Sequence, residues 1–148
     1  MTTASAPQHE VETLMSMNPD QQYMLLAARL KQLAGTSTVE GALAGPPDAL
    51  IKFGQQWLSS FVIQVYDRIC DEKGDWHKDV ANAAKGGVSA LGISLATLAI
   101  TTLGVAAPVA AAIGAIIASQ YFRGALEMGG QATVDALCKT LKQYQPRQ

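Results

Sequence analysis

The part of this sequence that decides the fold is a long run without a charged residue, from Gly86 to Phe122. It reads GGVSALGISLATLAITTLGVAAPVAAAIGAIIASQYF. Lys85 precedes the run and Arg123 follows it. A corner near its middle begins at Gly104 and ends at Pro108, and glycine and proline interrupt helices at such points. The run therefore predicts two uncharged helical arms joined by a short corner, which is a hydrophobic helical hairpin.

The composition of residues 86–122 makes this hairpin only moderately hydrophobic. Ten residues are Ala, five are Gly, six are Ser or Thr, and thirteen are Val, Ile, Leu or Phe. The arms 86–103 and 108–122 would measure about 27 Å and about 22 Å, slightly short of the roughly 30 Å of a bilayer's hydrocarbon core. Such a segment is compatible both with insertion into lipid and with the interior of a soluble bundle.

Small residues recur at four-residue steps on both arms, a spacing typical of closely packed membrane helices. Gly92 is followed by Ala96, and Gly114 by Ala118. We expect the hairpin to self-associate through these faces, although the same residues would also allow two helices of one soluble bundle to pack tightly. The residues assigned to membrane insertion and self-association are Gly92, Ala96, Ile100, Gly104, Pro108, Gly114 and Ala118.

The layout of residues 86–122 resembles the hydrophobic hairpin of pore-forming colicins and other α-helical pore-forming toxins. The resemblance is one of pattern rather than of a specific motif. It implies an uncharged, Ala/Gly-rich hairpin that amphipathic helices cover until it meets lipid. This chain is shorter than a typical colicin pore domain and has fewer helices to cover the hairpin, and this departure favours either oligomerisation or permanent residence in a membrane.

The rest of the sequence predicts an all-α bundle around the hairpin. Helices are expected at about 76–104 and about 108–142, with a break at Gly129-Gly130, and a long amphipathic helix at about 48–70. We divide the chain into a tail and amphipathic helix (1–35), a Gly/Pro linker (36–47) and a helical domain (48–148). The packing face of the long helix is assigned to Phe53, Trp57, Phe61 and Val65.

The N-terminal portion carries a clear helix start. Asn18 is the expected N-cap, Pro19 occupies the first helical position and Gln21 can complete a capping box. This helix should stop at Gly35. Residues 1 to about 9 read as a disordered tail, with a short helical piece at about 10–17.

Composition narrows the class of protein. A net charge of -1 gives no electrostatic support for binding nucleic acid. The two cysteines, Cys70 and Cys138, have no metal-ligand spacing, and we expect free thiols in a reducing compartment, with a disulfide as the alternative. The first residues lack the basic region of a signal peptide, which predicts synthesis in the cytosol; membrane association is expected, with a soluble cytoplasmic form as the alternative.

We find no pattern for catalysis, a cofactor or a metal. His9 and His77 are the only histidines, and Asp75, His77 and Asp79 do not share one helical face. Asp75 reads as an N-cap, and Trp76 as an anchor at a membrane interface. The sequence contains neither a phosphate-binding loop nor a nucleophile elbow, so we do not expect an enzyme.

These observations predict a membrane-active helical protein, similar to a toxin or effector, that inserts its hairpin, self-associates and forms a pore. The partners would be a lipid bilayer and further copies of the chain. Two alternatives remain open: a soluble all-α module that binds other proteins, and a small accessory subunit resident in a membrane.

Overall fold

A computed structural model describes residues 5–143, and this part of the chain is an all-helical bundle. A π-helical segment, Ile117–Phe122, continues the helix that begins at Ala107. The helices are α1 (Ser5–Met15), α2 (Pro19–Leu33), α3 (Val39–Leu43), α4 (Pro47–Cys70), α5 (His77–Lys85), α6 (Val88–Leu103), α7 (Ala107–Ile116), α8 (Arg123–Glu127) and α9 (Val134–Gln143).

Several predicted helix ends are confirmed by their local geometry. The Asn18 side chain accepts a hydrogen bond from the Gln21 amide at 2.8 Å, and the Asn18 amide donates back to the Gln21 side chain at 3.3 Å. This is the predicted capping box at the start of α2. The corner of the hairpin is also where the sequence placed it, because Gly104 ends α6 with φ +69° and Pro108 lies in the first turn of α7.

The predicted helix over about 76–104 is wrong in its continuity. It divides at Gly86-Gly87 into α5 and α6, because Gly87 adopts φ +111°, a conformation that residues with a side chain rarely adopt. The predicted helix over about 108–142 likewise divides after Glu127. Gly129, at the expected break, has φ +92°.

Two segments are more ordered than the sequence suggested. The linker over 36–47 contains α3, whose N-cap Thr38 accepts a hydrogen bond from the Gly41 amide at 2.9 Å. The tail expected to extend to about residue 9 is helical from Ser5 onward in α1, and residues 1–4 lie outside the described part. Short helices of this kind depend on tertiary contacts, which a local pattern does not reveal.

The helices are arranged around α7. Helices α1, α2 and α6 pack directly against α7, and α4 packs against α2. Helix α9 contacts α4 and the π segment. The main core contains side chains from the N-terminal helices together with those of the later ones, including Leu14, Leu26, Leu58 and Ile113.

A disulfide joins the end of α4 to α9. Cys70 and Cys138 are bonded, with their Cα atoms 5.9 Å apart, a normal separation for a disulfide. The expectation of free thiols is therefore wrong for this structure. The bond closes a loop that contains both arms of the hairpin, because α5, α6, α7, the π segment and α8 all lie between the two cysteines.

Candidate membrane-active hairpin

The second arm, from Pro108 to Phe122, lies at the centre of the bundle. Every residue from 109 to 118 is buried, and so are Tyr121 and Phe122. A helix that is apolar on all sides needs either a complete protein cover or lipid. Here α1, α2, α6 and α9 of the same chain supply the cover, so one chain conceals this arm without a second copy.

The first arm, α6, is covered on one side only. Its inner face packs against α7, α5 and α1. The buried residues of this face are Leu91, Gly92, Leu95, Ala96 and Ala99. Its outer face carries no charge and is partly open to solvent, and its most exposed positions are Ser89, Thr97, Thr101, Thr102 and Leu103. This surface lacks the charged residues that favour solubility and that make up about 25–35% of the surface in a well-designed soluble domain.

The threonine hydroxyls on this outer face bond to their own helix. Thr97 Oγ1 donates to the Ile93 carbonyl, and Thr101 Oγ1 donates to the Thr97 carbonyl, both at 2.9 Å. Hydroxyl groups on membrane helices can also hydrogen-bond to a neighbouring helix. Because these two threonine donors are satisfied within α6, they do not require water or another helix as an acceptor.

The small residues of the two arms face each other inside one chain. A Cβ atom on Gly114 would lie 2.2 Å from the Gly92 carbonyl oxygen and 3.2 Å from the Ala96 amide nitrogen. A Cβ atom on Gly92 would lie 3.2 Å from Ala118 Cβ. In this structure, four of the residues assigned to self-association therefore form the contact between the arms.

The remaining assigned hairpin residues lie at or near its tip. Ile100 is half-buried, whereas Gly104 and Pro108 are exposed. Residues 101–108 are all exposed or half-buried and uncharged. The tip is thus the accessible end of the hairpin.

The assigned packing face of α4 is only partly buried. Phe61 and Val65 belong to the core, and Trp57 is half-buried and stacks on Phe61 with ring centroids 5.5 Å apart. Phe53 was also assigned to the packing face but is 39% exposed, and the Lys31 ammonium lies 5.2 Å from its ring centroid. The buried face consists of Leu50, Gly54, Leu58, Phe61, Val62, Val65 and Ile69.

A partly buried amide cluster, formed by Gln22 of α2 with Ser119 and Gln120 of the second arm, joins the cover to the hairpin. Gln22 Nε2 donates to Ser119 Oγ at 2.9 Å, and Gln120 Nε2 donates to Gln22 Oε1 at 2.8 Å. The Tyr23 hydroxyl donates to Gln120 Oε1 at 3.0 Å. Sequence reasoning missed this cluster. The available signal was a pair of polar residues, Ser119-Gln120, inside an apolar arm.

Two members of the cluster, Ser119 and Gln120, belong to the π segment. Such π-helical turns are often found at functional sites. Gln22 is only 1% exposed, and its Nε2 also donates to the Leu14 carbonyl at 2.9 Å. Buried amides must find partners to avoid a desolvation penalty. The cluster therefore fixes the position of α2 along the second arm.

A second polar contact holds the cover near the hairpin tip. Arg29 of α2 donates through Nη1 to the Pro108 carbonyl at 2.7 Å. Its other terminal nitrogen, Nη2, pairs with the Glu10 carboxylate of α1. One guanidinium thus links α1, α2 and the start of α7.

The segment before α5 has a structural role. Trp76 is 1% exposed rather than accessible to a membrane interface, so the anchor assignment is wrong. Asp75 pairs with Arg68 at 2.7 Å instead of capping α5, and His77 Nδ1 lies 2.8 Å from the Ile69 carbonyl. Within residues 5–143, no group of three or more His, Cys, Asp or Glu side chains is placed to hold a metal ion.

One helix among the described residues is long and apolar enough to cross a membrane. It is the continuous rod Ala107–Glu127, which combines α7, the π segment and α8 over 21 residues, and its most apolar stretch is 72% buried. The core helix of a soluble protein passes the same test of length and composition. Comparison of the chain with protein-family models, curated proteins and solved structures gives no match.

Proposed function

We propose that this chain is a membrane-active helical protein. In solution the cover helices α1 and α2 conceal the second arm. At a bilayer the hairpin leaves the cover and enters lipid, where copies of the chain associate and form a pore.

The observation that carries the proposal is the uncharged outer face of α6. Exposed positions on other helices of the bundle carry charges, such as Lys52 and Asp67 on α4 and Lys78 and Asp79 on α5. A helix whose only role is to pack in a soluble bundle gains nothing from the absence of charged residues on its solvent-exposed face. The absence of charge from all of α6, together with threonine hydroxyls bonded to its own backbone, makes the helix compatible with hydrocarbon as well as with water.

The disulfide bears on where such a protein would act. Disulfides persist in oxidising compartments and are rare in the reducing cytosol. The Cys70–Cys138 bond therefore favours a protein that works after export from the cytosol in which it is made. An exported protein is the kind that the toxin-like or effector-like hypothesis requires.

The test is vesicle flotation and dye leakage with the full chain, using vesicles of phosphatidylcholine and phosphatidylglycerol. We compare the natural chain with Thr97→Lys, which places a charge on the outer face of α6. A charge at the centre of a membrane helix costs about 2.5–3.5 kcal/mol on insertion scales. We expect Thr97→Lys to float less and to cause less leakage, while its helical circular dichroism in solution is unchanged.

Gln56→Lys on the exposed side of α4 is the matched control, since it adds the same charge to a helix that we do not expect to enter lipid. It should float and leak like the natural chain. Undiminished flotation and leakage by a folded Thr97→Lys variant would contradict insertion of the first arm. A natural chain that neither floats nor leaks would reject the membrane function altogether.

The second candidate is a soluble helical module that binds other proteins. It is favoured by the burial of the rod, which the interior helix of an ordinary bundle would also show. A soluble chain that ignores vesicles in the experiment above would favour this candidate. A chain that sediments without detergent would instead favour a resident membrane subunit.

A further inference from the structure

We infer that Gln120 is the contact through which two copies of this chain pair inside a membrane. The inference rests on the proposed function. It replaces the small-residue faces as the site of self-association, because Gly92 and Gly114 already contact each other within one chain.

The two polar residues of the π segment differ in what they lose when the cover is removed. Ser119 Oγ donates to the Ala115 carbonyl of its own helix at 2.6 Å, and this bond can persist in lipid. The Gln120 amide instead bonds to Gln22 and Tyr23, and both of these partners belong to α2. When the rod leaves α2, Gln120 loses both bonds, and Ser119 keeps the bond to its own backbone.

The position of Gln120 along the rod places it in hydrocarbon. A rod of 21 residues is about 30 Å long, which only just equals the thickness of a bilayer's hydrocarbon core. A full crossing therefore uses the whole rod, including Arg123, whose long side chain can extend from near the helix end to the membrane interface. Gln120 has no such reach and lies about 10 Å inside the Glu127 end at 1.5 Å per residue, where an amide without a partner is costly.

The Gln120 amide of a second copy can replace the hydrogen bonds that the first Gln120 has lost, and no other residue is needed. The glutamine side chain carries both a donor group and an acceptor oxygen. Two parallel rods related by a two-fold axis can therefore exchange two equivalent hydrogen bonds, the self-complementary contact of a symmetric dimer. Glutamine side chains are known to hydrogen-bond across helices in membranes.

The experiment uses full-length chains labelled at the amino terminus with a donor or an acceptor fluorophore. Both are added to vesicles of phosphatidylcholine and phosphatidylglycerol. Flotation measures binding, and energy transfer measures pairing. We expect Gln120→Leu to bind the vesicles at least as well as the natural chain but to lose energy transfer. Gln120→Asn, which keeps an amide, should retain it.

Gln22→Leu is the matched control, because it breaks the same Gln22–Gln120 hydrogen bond in the bundle but leaves the amide on the rod. It should pair in vesicles like the natural chain. The double variant Gln22→Leu with Gln120→Leu removes both partners, which avoids the penalty of leaving one amide unpaired in the bundle. It should bind vesicles without energy transfer even if Gln120→Leu alone folds poorly.

Three results would decide against the inference. Energy transfer at the natural level in vesicle-bound Gln120→Leu would remove Gln120 from the contact. Equal loss in Gln22→Leu would assign the effect to the soluble fold rather than to the membrane. A natural chain that does not float would reject the proposed function, and the pairing with it, whereas the first two results leave vesicle binding intact.

Discussion

The two arms of the hairpin are both uncharged, but they differ in polarity and in environment. In the second arm, residues 109–118 are buried on every side, whereas α6 turns an uncharged row of hydroxyl and apolar side chains to solvent. The second arm is apolar enough to need cover, and the first is polar enough to provide part of that cover. The hairpin thus conceals its more hydrophobic arm behind its less hydrophobic one.

The inner faces of the two arms are packed closely against each other. Gly92 and Gly114 allow the two backbones to approach so closely that a single added methyl group on Gly114 would meet the Gly92 carbonyl. Close approach lets an Ala-rich helix gain dispersion contacts that its small side chains could not reach at a normal distance. The small-residue steps therefore stabilise the closed form of the chain.

Ile113→Lys should have the largest effect on stability, because it places a charge inside the buried second arm. Ile113 is 1% exposed, and an unpaired charge at such a site destabilises by more than about 4 kcal/mol. We expect loss of helical circular dichroism or aggregation on expression. A soluble variant with the natural helix content would show that the second arm is not fully buried by the other helices.

Removing the disulfide should have the next largest effect, since it opens the loop that holds both arms. Cys70→Ser with Cys138→Ser should lower the free energy of unfolding by about 2–4 kcal/mol. Denaturant unfolding of this variant, beside the natural chain with and without a reductant, measures the loss. An unfolding midpoint equal to that of the oxidised natural chain would argue that the bond does not restrain the fold.

Gly114→Ala tests the contact between the arms. The added Cβ would lie 2.2 Å from the Gly92 carbonyl oxygen, so the arms must separate, at about 1–3 kcal/mol. Gly124→Ala is the control, because its Cβ would meet nothing within 4 Å and alanine is favoured in helices. Thermal unfolding should show a lower midpoint for the first variant only; equal midpoints would mean that the arms pack less closely.

Thr97→Lys should have the smallest effect on the folded protein in solution. Its position is exposed, and surface substitutions away from special features usually change stability by less than about 0.5 kcal/mol. The measurement is the unfolding midpoint without lipid. A large decrease would mean that the outer face of α6 is covered. The two arms would then not differ in their exposure to solvent.

Much of the local structure follows from the sequence because it depends on neighbouring residues. The capping box at Asn18, the corner from Gly104 to Pro108 and the break near Gly129 were all predicted, and each rests on side-chain or backbone properties that act over a few residues. The all-α class also follows from periodicity over longer windows. The absence of charge over residues 86–122 is likewise a property of the sequence alone.

The contacts between distant segments were decided by the tertiary structure. Sequence spacing did not favour a Cys70–Cys138 bond, because only the fold brings α9 to the end of α4. Nor did local pattern show that Gln22 meets Ser119 and Gln120 across 97 and 98 positions. Small-residue steps predict close packing, but which helix fills the gap depends on the competition among all helices for apolar contacts, and that competition is settled only in three dimensions.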